Sequence, residues 1–339
     1  MKLAVTGGAG FIGSNFVHRT LAAHPDWKLL VIDKLTYAGN LKNLQSALQP
    51  GRCDFAHMDI CEAAVADLLR GCDAVVHFAA ESHVDRSIED AGDFVRTNVD
   101  GTHNLMECSR KASVQRFVHI STDEVYGSLP EDGEFTEDSP LKPTSPYAAT
   151  KAASDLLVMA YVRTHNFPAI VTRCSNNYGP YQFPEKFIPL MISQAMAGER
   201  MPVYGTGVNV RDWLHVNDHC DAIELILLRG RLGEVYNIGG GCEMRNIDVA
   251  RLILRTLNRP ESLIEFVKDR PGHDLRYALS CAKLSRETGW TAKISFEQGL
   301  AATVDWYREN EPWLESVRSG AYREYFERHY VNRDRTFAG

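Results

Sequence analysis

The stretch "VTGGAGFIGS" (residues 5–14) joins a short apolar segment, "KLAVT" (2–6), to a segment with helical spacing. Gly7, Gly10 and Gly13 give it the spacing G-x-x-G-x-x-G. Such a turn lets the backbone approach a pyrophosphate and lets the following helix pack close to the strand. The free N–H groups at the helix N-terminus then favour phosphate binding. A tight structural turn is the alternative interpretation of this loop.

The next apolar segment, "KLLVID" (28–33), ends in an acidic residue, Asp33. A carboxylate about 20 residues after the glycine loop is typical of ribose recognition in dinucleotide-binding folds. Asp33 favours NAD over NADP because it would repel a 2′-phosphate, although the neighbouring Lys34 weakens that preference. Asp59 in "MDI" (58–60) is a candidate adenine contact, with a surface turn as the alternative. Together these residues predict an NAD-binding protein.

Further along the first half, apolar runs rich in β-branched residues alternate with segments of helical spacing. Continuous apolar strands are typical of a parallel sheet covered on both faces. The pattern predicts an α/β fold with a doubly wound parallel sheet, that is, an NAD-binding Rossmann domain. The predicted strands are 2–6, 28–33, 73–80, 116–122 and 168–174, and the predicted helices are 13–23, 62–70, 93–112 and 147–165.

After "NNYGP" (176–180) prolines and glycines become frequent. Short strands in "MPVYG" and "VYNIG" alternate there with helices near 185–197, 217–228 and 246–257. We therefore predict an NAD-binding domain over 1–177, which carries the catalytic residues, and a smaller C-terminal α/β substrate domain over 178–339. The boundary is soft, and segments of the two can interleave.

Composition limits the class of protein. The chain has 339 residues and a formal net charge of -7, which argues against a general nucleic-acid or acidic-membrane partner. No apolar run approaches the roughly 18 residues of a membrane span, and the N-terminus reaches glycine too early for a signal peptide. The eight cysteines are scattered without a CxxC, so we expect reduced thiols in a cytoplasmic protein.

One stretch, "DWLHVNDHCD" (212–221), resembles a metal site because His215 and His219 are spaced i, i+4. Val216 stands where an HExxH motif has its glutamate, and no third ligand is evident. We expect no metal.

Two short motifs carry candidate chemistry. In "SPYAATKAASDLL", Tyr147 and Lys151 are spaced i, i+4 and would project from one helix face. The ammonium of Lys151 is expected to lower the pKa of Tyr147 so that its phenolate can act as a base. In "STDEVYG" (121–127), Thr122 ends a strand and is followed by the acid pair Asp123 and Glu124. A surface Tyr/Lys pair and a turn cap are the alternatives.

With the glycine loop, Thr122, Tyr147 and Lys151 make the sequence resemble the extended short-chain dehydrogenase/reductase family. In that family these residues deprotonate a substrate hydroxyl while its hydride passes to NAD⁺. Within it, five motifs are similar to those of the dTDP-glucose 4,6-dehydratases over residues 1 to about 310: "LTYAGN" (35–40), "AAESHVDRS" (79–87), "TDEVYG", "NNYGPYQFPEKFIPL" (176–190) and "DRPGHDLRYA" (269–278).

The resemblance implies NAD-dependent dehydration of dTDP-glucose to dTDP-4-keto-6-deoxyglucose. Tyr147 would remove the carbon-4 hydroxyl proton, Glu124 the carbon-5 proton, and Asp123 would protonate the departing carbon-6 hydroxyl. Adjacent carboxylates can divide these roles because their repulsion separates their pKa values. Sugar 4-epimerases share the glycine loop and YxxxK but usually lack the acid pair. A dehydratase for another nucleotide sugar such as UDP-glucose, an epimerase, and a non-catalytic NAD-binding regulator stay open.

The resemblance also implies binding residues and a homodimer built from two long helices per subunit, here 93–112 and 147–165. Cofactor contacts are expected from Gly7, Gly10, Phe11, Ile12, Gly13, Asp33, Lys34, Leu35, Thr36, Asp59, Ile60, Ala79, Ala80, Ser82, Thr97, Tyr147, Lys151 and Asn177. Substrate contacts are expected from Ser82, Thr122, Asn176, Lys186, Phe187, Pro202, Val203, Tyr204, Arg211, Asn246, Arg270 and His273.

Two positions depart from the family pattern. Ser280 stands where relatives usually have an acid, and Leu275 where a second arginine is common. Both substitutions are expected to adjust nucleotide contacts without affecting the chemistry. The preference between thymidine and uridine, which differ by one methyl group, stays open.

Overall fold

The computed structural model describes residues 1–269 and 272–318. The strands are β1 (Lys2–Thr6), β2 (Lys28–Asp33), β3 (Cys53–His57), β4 (Ala74–His77), β5 (Arg116–Thr122), β6 (Ala169–Cys174), β7 (Asn176–Tyr178), β8 (Met201–Tyr204), β9 (Val210–His215), β10 (Val235–Ile238), β11 (Glu243–Arg245) and β12 (Ile264–Val267). The helices are α1 (Phe11–Ala23), α2 (Val65–Leu68), α3 (Val84–Glu89), α4 (Gly92–Phe94), α5 (Thr102–Lys111), α6 (Pro146–His165), α7 (Phe187–Ala197), α8 (Val216–Arg229), α9 (Asn246–Thr256), α10 (Ala282–Thr288), α11 (Phe296–Glu309) and α12 (Glu311–Val317).

Seven strands form the main sheet in the order β10-β6-β5-β4-β1-β2-β3, and all neighbours are parallel. Both faces are covered, because successive residues of β1 enter different cores. Leu3 and Val5 pack with α1 and α8, while Ala4 packs with α5 and α6. This explains the continuous apolar strands in the sequence and confirms the predicted doubly wound parallel sheet. The strand order reverses between β1 and β4, so a crevice opens at their carboxyl ends.

Two strands of the main sheet differ from the prediction. The edge strand β3, "CDFAH", was not predicted because Asp54 and His57 interrupt the apolar run expected of a strand in a parallel sheet. The strand in "VYNIG", assigned to the second domain, instead pairs with β6 as β10. Tyr236, Asn237 and Ile238 are buried there, as is usual in the interior of a parallel sheet. The domain boundary at residue 177 stays a prediction. Residues 235–238, which follow that boundary, belong to the main sheet as β10.

The second half of the chain has its own core. β11, β9 and β7 form a three-stranded sheet, and β12 pairs with β8. Helices α7, α9 and α11 pack around a cluster that includes Ile192, Trp213 and Leu300. Because β7 follows β6 after one residue, this region begins directly beside the carboxyl end of the main sheet.

The first half of the chain contains two long helical stretches, α6 and the stretch from α4 to α5. Ser145 caps α6 by accepting a hydrogen bond from the Ala148 N–H at 3.1 Å, and Pro146 occupies the first turn. The predicted helix 93–112 is instead α4, a π-helical segment (Val95–Gly101) and α5 in direct succession. Within the described ranges, every helix is too short or too polar to span a bilayer.

Candidate active site

The glycine loop is close-packed against the end of β4. Gly7 has φ +69°, and a Cβ atom there would lie 2.5 Å from the Ala79 nitrogen. A Cβ atom on Gly13 would lie 2.3 Å from the Gly7 carbonyl oxygen. A larger residue at either position would therefore push strand and helix apart. The loop forms a narrow cradle at the N-terminus of α1, which suits a pyrophosphate.

Asp33 lies at the end of β2 and is buried. Its carboxylate accepts hydrogen bonds from the Ala9 N–H at 2.9 Å and from the Leu35 N–H at 2.8 Å. Burial raises the pKa of Asp33 above its usual value, while these two hydrogen bonds lower it. Asp33 thus braces the glycine loop from the side where a ribose would lie.

Asp59, for which a surface turn was the alternative interpretation, forms ion pairs with two basic side chains. Lys34 Nζ lies 2.9 Å and Arg96 Nη2 3.1 Å from its Oδ2 atom. Burial opposes ionisation, but hydrogen bonds from Cys61 and Lys34 lower the pKa of Asp59 below its usual value. Lys34 is therefore paired with Asp59, and Arg96 was not identified from the sequence.

A cavity of about 290 Å³ extends from this cradle to the end of β5. Predicted residues that line it are Gly7, Gly10, Phe11, Ile12, Gly13, Asp33, Lys34, Thr36, Asp59, Ile60, Ala80, Ser82, Thr97, Thr122, Asp123, Glu124, Tyr147, Lys151, Asn176, Asn177 and Lys186. Two predicted cofactor contacts are not among the lining residues. Leu35 contributes its N–H to Asp33, and Ala79 packs against Gly7. We call this space the cofactor cavity.

The acid pair lies at the inner end of the cofactor cavity, on a 3₁₀ turn (Asp123–Tyr126) that follows β5. The turn is capped by Thr122, whose hydroxyl oxygen accepts from the Glu124 N–H at 3.2 Å. The same hydroxyl donates to Asp123 Oδ1 at 3.2 Å. Thr122 is therefore the residue that caps the turn, and Asp123 and Glu124 do not serve as its cap.

The two acids have different surroundings. Asp123 is 2% exposed, and burial raises its pKa well above the usual value. The charges of Glu124 and Asp212 raise it further. Glu124 is only partly buried and also lines a second cavity that adjoins the cofactor cavity. Asp123 is thus the member of the pair whose surroundings favour the protonated form, which suits an acid catalyst.

Tyr147 and Lys151 both line the cofactor cavity from α6, and burial shifts the pKa of each. Burial raises the pKa of Tyr147 well above its usual value, the charge of Glu124 adds to this, and a hydrogen bond with Thr122 lowers it. Lys151 Nζ donates to the Ile120 carbonyl oxygen at 2.8 Å. Burial lowers the pKa of Lys151 to about 8, while the charge of Asp155 raises it. The ammonium is therefore held by a carbonyl of β5 and by the charge of Asp155, and its effect on the pKa of Tyr147 stays a prediction.

A second cavity of about 160 Å³ adjoins the first. Glu124, Asn176 and Lys186 line both cavities. Other predicted substrate contacts that line the second are Phe187, Pro202, Tyr204, Arg211, Asn246 and His273. Ser82 and Thr122 line the cofactor cavity instead. We call this second space the substrate cavity.

One predicted substrate contact, Val203, lines neither cavity, and another lies outside the described residues. Val203 is fully buried in the second core, because side chains alternate along β8 and leave Pro202 and Tyr204 facing the cavity. Ser280 and Leu275, expected to adjust nucleotide contacts, are not among its lining residues either. Arg270 is the predicted contact that falls outside the described ranges.

Arg211 is buried and fixed by main-chain oxygens. Its Nη1 donates to the Val210 carbonyl at 2.8 Å and its Nη2 to the Asp274 carbonyl at 3.1 Å. The guanidinium carbon lies 4.6 Å from the centre of the Tyr277 ring. A rigid guanidinium on the cavity wall is well suited to a phosphate.

A cluster around the buried Glu185 was not identified from the sequence. Arg86 pairs with Glu185 at 3.1 Å and stacks on the Tyr37 ring at 4.1 Å. Glu185 lines both cavities. Burial raises the pKa of Tyr37 well above its usual value. Arg86 and Glu185 are far apart in the chain, so no local pattern could indicate their contact.

The pair that resembled a metal site has other partners. His215 Nδ1 accepts from the Asn217 N–H at 3.2 Å and caps α8. His219 Nδ1 contacts Asn177 Oδ1 at 2.9 Å, which holds the amide of Asn177 at the wall of the cofactor cavity. Across residues 1–269 and 272–318 there is no group of three or more His, Cys, Asp or Glu side chains that could hold a metal ion.

Comparison with known proteins agrees with this geometry. A family model described as GDP-mannose 4,6 dehydratase matches residues 4–303. The dTDP-glucose 4,6-dehydratase of Streptomyces niveus is 52% identical over 324 residues, which cover 94% of this chain and 96% of the relative. The Salmonella typhimurium enzyme of the same name is 46% identical, with 98% and 100% covered.

Solved structures give the same picture. DesIV, a dTDP-glucose 4,6-dehydratase from Streptomyces venezuelae solved with NAD bound, has a TM-score of 0.91 and 53% identity, covering 94% of this chain and 100% of that one. A UDP-glucose 4-epimerase from Thermus thermophilus, in complex with NAD, has a TM-score of 0.84 and 31% identity, with 91% and 100% covered.

Proposed function

Since the chain belongs to the dTDP-glucose 4,6-dehydratase family, we propose that it converts dTDP-glucose to dTDP-4-keto-6-deoxyglucose with NAD as cofactor. The observation that carries this proposal is the position of the acid pair. Asp123 and Glu124 lie beside Thr122, Tyr147 and Lys151, where the cofactor and substrate cavities meet. A site that only oxidises a hydroxyl has no use for two further carboxyl groups at that point.

The described residues fit NAD. The glycine cradle would receive the pyrophosphate, and Asp33 would bind the ribose from the end of β2. NAD⁺ supplies the acceptor for the carbon-4 hydride, and its reduced form returns a hydride to carbon 6. Lys34 is already paired with Asp59, so Asp33 keeps its negative charge toward the ribose and disfavours a 2′-phosphate.

Tyr147 takes the proton of the carbon-4 hydroxyl, and Thr122 beside it lowers the pKa of the phenol. Protein groups alone keep Tyr147 protonated, because burial and the charge of Glu124 both raise its pKa. NAD⁺ held in the cofactor cavity would bring a positive charge beside Tyr147 and so favour its phenolate.

Glu124 and Asp123 then remove water across carbons 5 and 6. The new ketone acidifies the carbon-5 hydrogen, which passes to the carboxylate of Glu124 as a proton. The carbon-6 hydroxyl leaves as water with the proton of Asp123, whose pKa is raised by its burial. One acid is ionised and the other protonated, so the proton lost at carbon 5 is matched by the proton gained on the leaving oxygen.

Incubation with dTDP-glucose tests this activity. A 4-keto-6-deoxy product absorbs after alkali treatment, whereas the product of a 4-epimerase does not. The Thermus thermophilus epimerase similarity makes that enzyme class the second candidate. Parallel incubation with UDP-glucose measures the base preference. Formation of a dTDP-hexose epimer, or NAD binding without turnover of either nucleotide, would contradict the proposed function.

We further propose that the protein is a homodimer that pairs α6 and the π-helical segment with their copies. Apolar residues Ala149, Ala153, Leu156 and Ala160 recur at helical spacing on the outer side of α6. Leu156 is 63% exposed, and Val95 on the adjacent π-helical segment is 47% exposed. Solvent-facing apolar stripes of this kind are typical of interaction surfaces.

Leu156→Glu is expected to dissociate the dimer, because it places a charge in the apolar stripe. Size-exclusion chromatography with light scattering measures the mass directly. Leu228→Glu is the matched control, since Leu228 is a 44% exposed leucine on α8. A dimeric mass for Leu156→Glu would show that the apolar stripe on α6 is not the dimer interface.

A cytoplasmic location is the final part of this proposal. All eight cysteines are free thiols, as is usual in a reducing compartment. Cell fractionation with an activity assay measures the location, and activity confined to an extracytoplasmic fraction would contradict it.

A further inference from the structure

Tyr126 ends the 3₁₀ turn that carries the acid pair, and its hydroxyl is fully used. It is 2% exposed, accepts a hydrogen bond from Arg173 Nη1 at 2.9 Å and donates to Asn237 Oδ1 at 2.7 Å. The Arg173 guanidinium carbon also lies 4.8 Å from the centre of the Tyr126 ring. The end of the turn is therefore held by two strands, β6 and β10.

Arg173 extends this connection to α6. Its Nε atom donates to Asp155 Oδ2 at 2.8 Å, and Asp155 Oδ1 lies 3.5 Å from His119 Nε2. Asp155 is one helical turn beyond Lys151 and two turns beyond Tyr147. Arg173 and Asp155 are both buried, so water cannot replace either contact. One guanidinium thus joins the acid-pair turn to the helix that carries the Tyr–Lys pair.

Asn237 fixes the hydroxyl from the opposite side. It stands next to Arg173 in the parallel pairing of β10 with β6. Its Nδ2 donates to the Phe135 carbonyl at 3.1 Å and its main-chain N–H to Glu137 Oε1 at 3.0 Å. The bond from Nδ2 orients the side-chain amide so that its oxygen faces Tyr126. The hydroxyl therefore has one acceptor and one donor at fixed positions.

We propose that Tyr126 and Arg173 are positioning residues, which hold the acid pair at a fixed distance from Tyr147 through the bridge Tyr126–Arg173–Asp155. This inference rests on the proposed function, in which one sugar is oxidised at carbon 4 and then loses water across carbons 5 and 6. The sugar has to meet both groups without leaving the site. Misplacement of a catalytic group by about 1 Å can cost roughly 10²-fold in rate.

Tyr126→Phe tests the bridge with little change in packing. The ring keeps its stacking on Phe135, at 4.9 Å between centroids, while Arg173 and Asn237 lose their partner. We expect kcat for dTDP-glucose to fall about 10- to 100-fold, within the range for a misplaced catalytic group. KM should be unchanged. Enzyme-bound NADH should accumulate in the steady state, because elimination slows while oxidation at carbon 4 does not.

Tyr236→Phe is the matched control. Tyr236 precedes Asn237 in β10, is equally buried, and donates to Glu287 Oε2 at 2.6 Å, away from both cavities. Its variant should lose thermal stability without any rise in bound NADH. A merely structural role for Tyr126 would give the same result as this control.

Arg173→Lys is a second variant, because it keeps the charge but cannot contact Asp155 and Tyr126 together. It should show the same accumulation of NADH as Tyr126→Phe. Wild-type kcat and wild-type NADH in Tyr126→Phe would overturn the positioning role while the proposed function stands. Wild-type protein that forms no 4-keto-6-deoxy product would overturn the proposed function and this inference with it.

Discussion

Tyr147→Phe is expected to stop hydride transfer from carbon 4 almost completely, with a loss of about 10²- to 10⁴-fold in kcat, the range for a general base. In the proposed reaction the phenol oxygen is the group that meets the substrate hydroxyl, and Tyr147 lines the cofactor cavity together with Thr122. The ring itself stays packed edge-on against Phe94, with centroids 6.3 Å apart, so the variant should fold. Stopped-flow absorbance of enzyme-bound NADH after mixing with dTDP-glucose measures the first chemical step directly.

Tyr161→Phe is the control for this experiment, because it removes a phenol oxygen from the same helix at a distance from both cavities. Tyr161 donates to Glu107 Oε1 at 2.9 Å on α5. Its variant should form NADH at the wild-type rate. Equal rates of NADH formation in Tyr147→Phe and the wild type would exclude Tyr147 as the base.

Glu124→Gln should have the opposite kinetic signature. Glutamine keeps the shape of the side chain but cannot accept the carbon-5 proton, so elimination should slow by about 10²- to 10⁴-fold. Oxidation should still occur, and NADH should accumulate on the enzyme. The accumulated species should be released as a 4-keto-glucose nucleotide when the protein is denatured, and mass spectrometry identifies it by the retained carbon-6 oxygen.

The pH dependence of the same variant provides a second measurement. The negative charge of Glu124 adds to the burial that raises the pKa of Tyr147. Removal of this charge lowers the pKa of Tyr147. The rate of NADH formation should therefore begin to rise at a lower pH than in the wild type. Glu131→Gln, a change in an exposed loop, should alter neither the profile nor the turnover. Wild-type turnover in Glu124→Gln would remove Glu124 from the reaction.

Much of this site could be predicted from the sequence because its residues are placed by local rules. The glycine loop, Asp33 and Thr122 each end or follow a strand of one parallel sheet, so they must converge at its carboxyl edge. Tyr147 and Lys151 are one helical turn apart, which puts both on the same wall. Strand ends and helix faces are properties of short segments, and short segments can be interpreted one at a time.

Other features depend on contacts between distant segments. Glu185 lines both cavities because Arg86 and Tyr37 hold it there, and nothing near residue 185 indicates either partner. Lys151 was predicted to act on Tyr147 because the two are close in sequence, yet its ammonium is directed to a carbonyl of β5. Val203 was predicted to line the substrate cavity with its neighbours, and the alternation along β8 turns it inward. These three features have one property in common, since sequence spacing does not specify the orientation of a side chain.

The late position of β10 also has a consequence for the newly made chain. During synthesis the ribosome releases β1 to β6 well before Ile238, so the growing sheet carries an unpaired edge at β6 for that interval. Exposed strand edges are where nascent proteins associate wrongly. Asn237 reaches Tyr126 only when this strand docks, so the acid-pair turn acquires its last anchor as the edge is closed. The strand that closes the edge of the main sheet is therefore the same one that supplies a hydrogen-bond partner to the acid-pair turn.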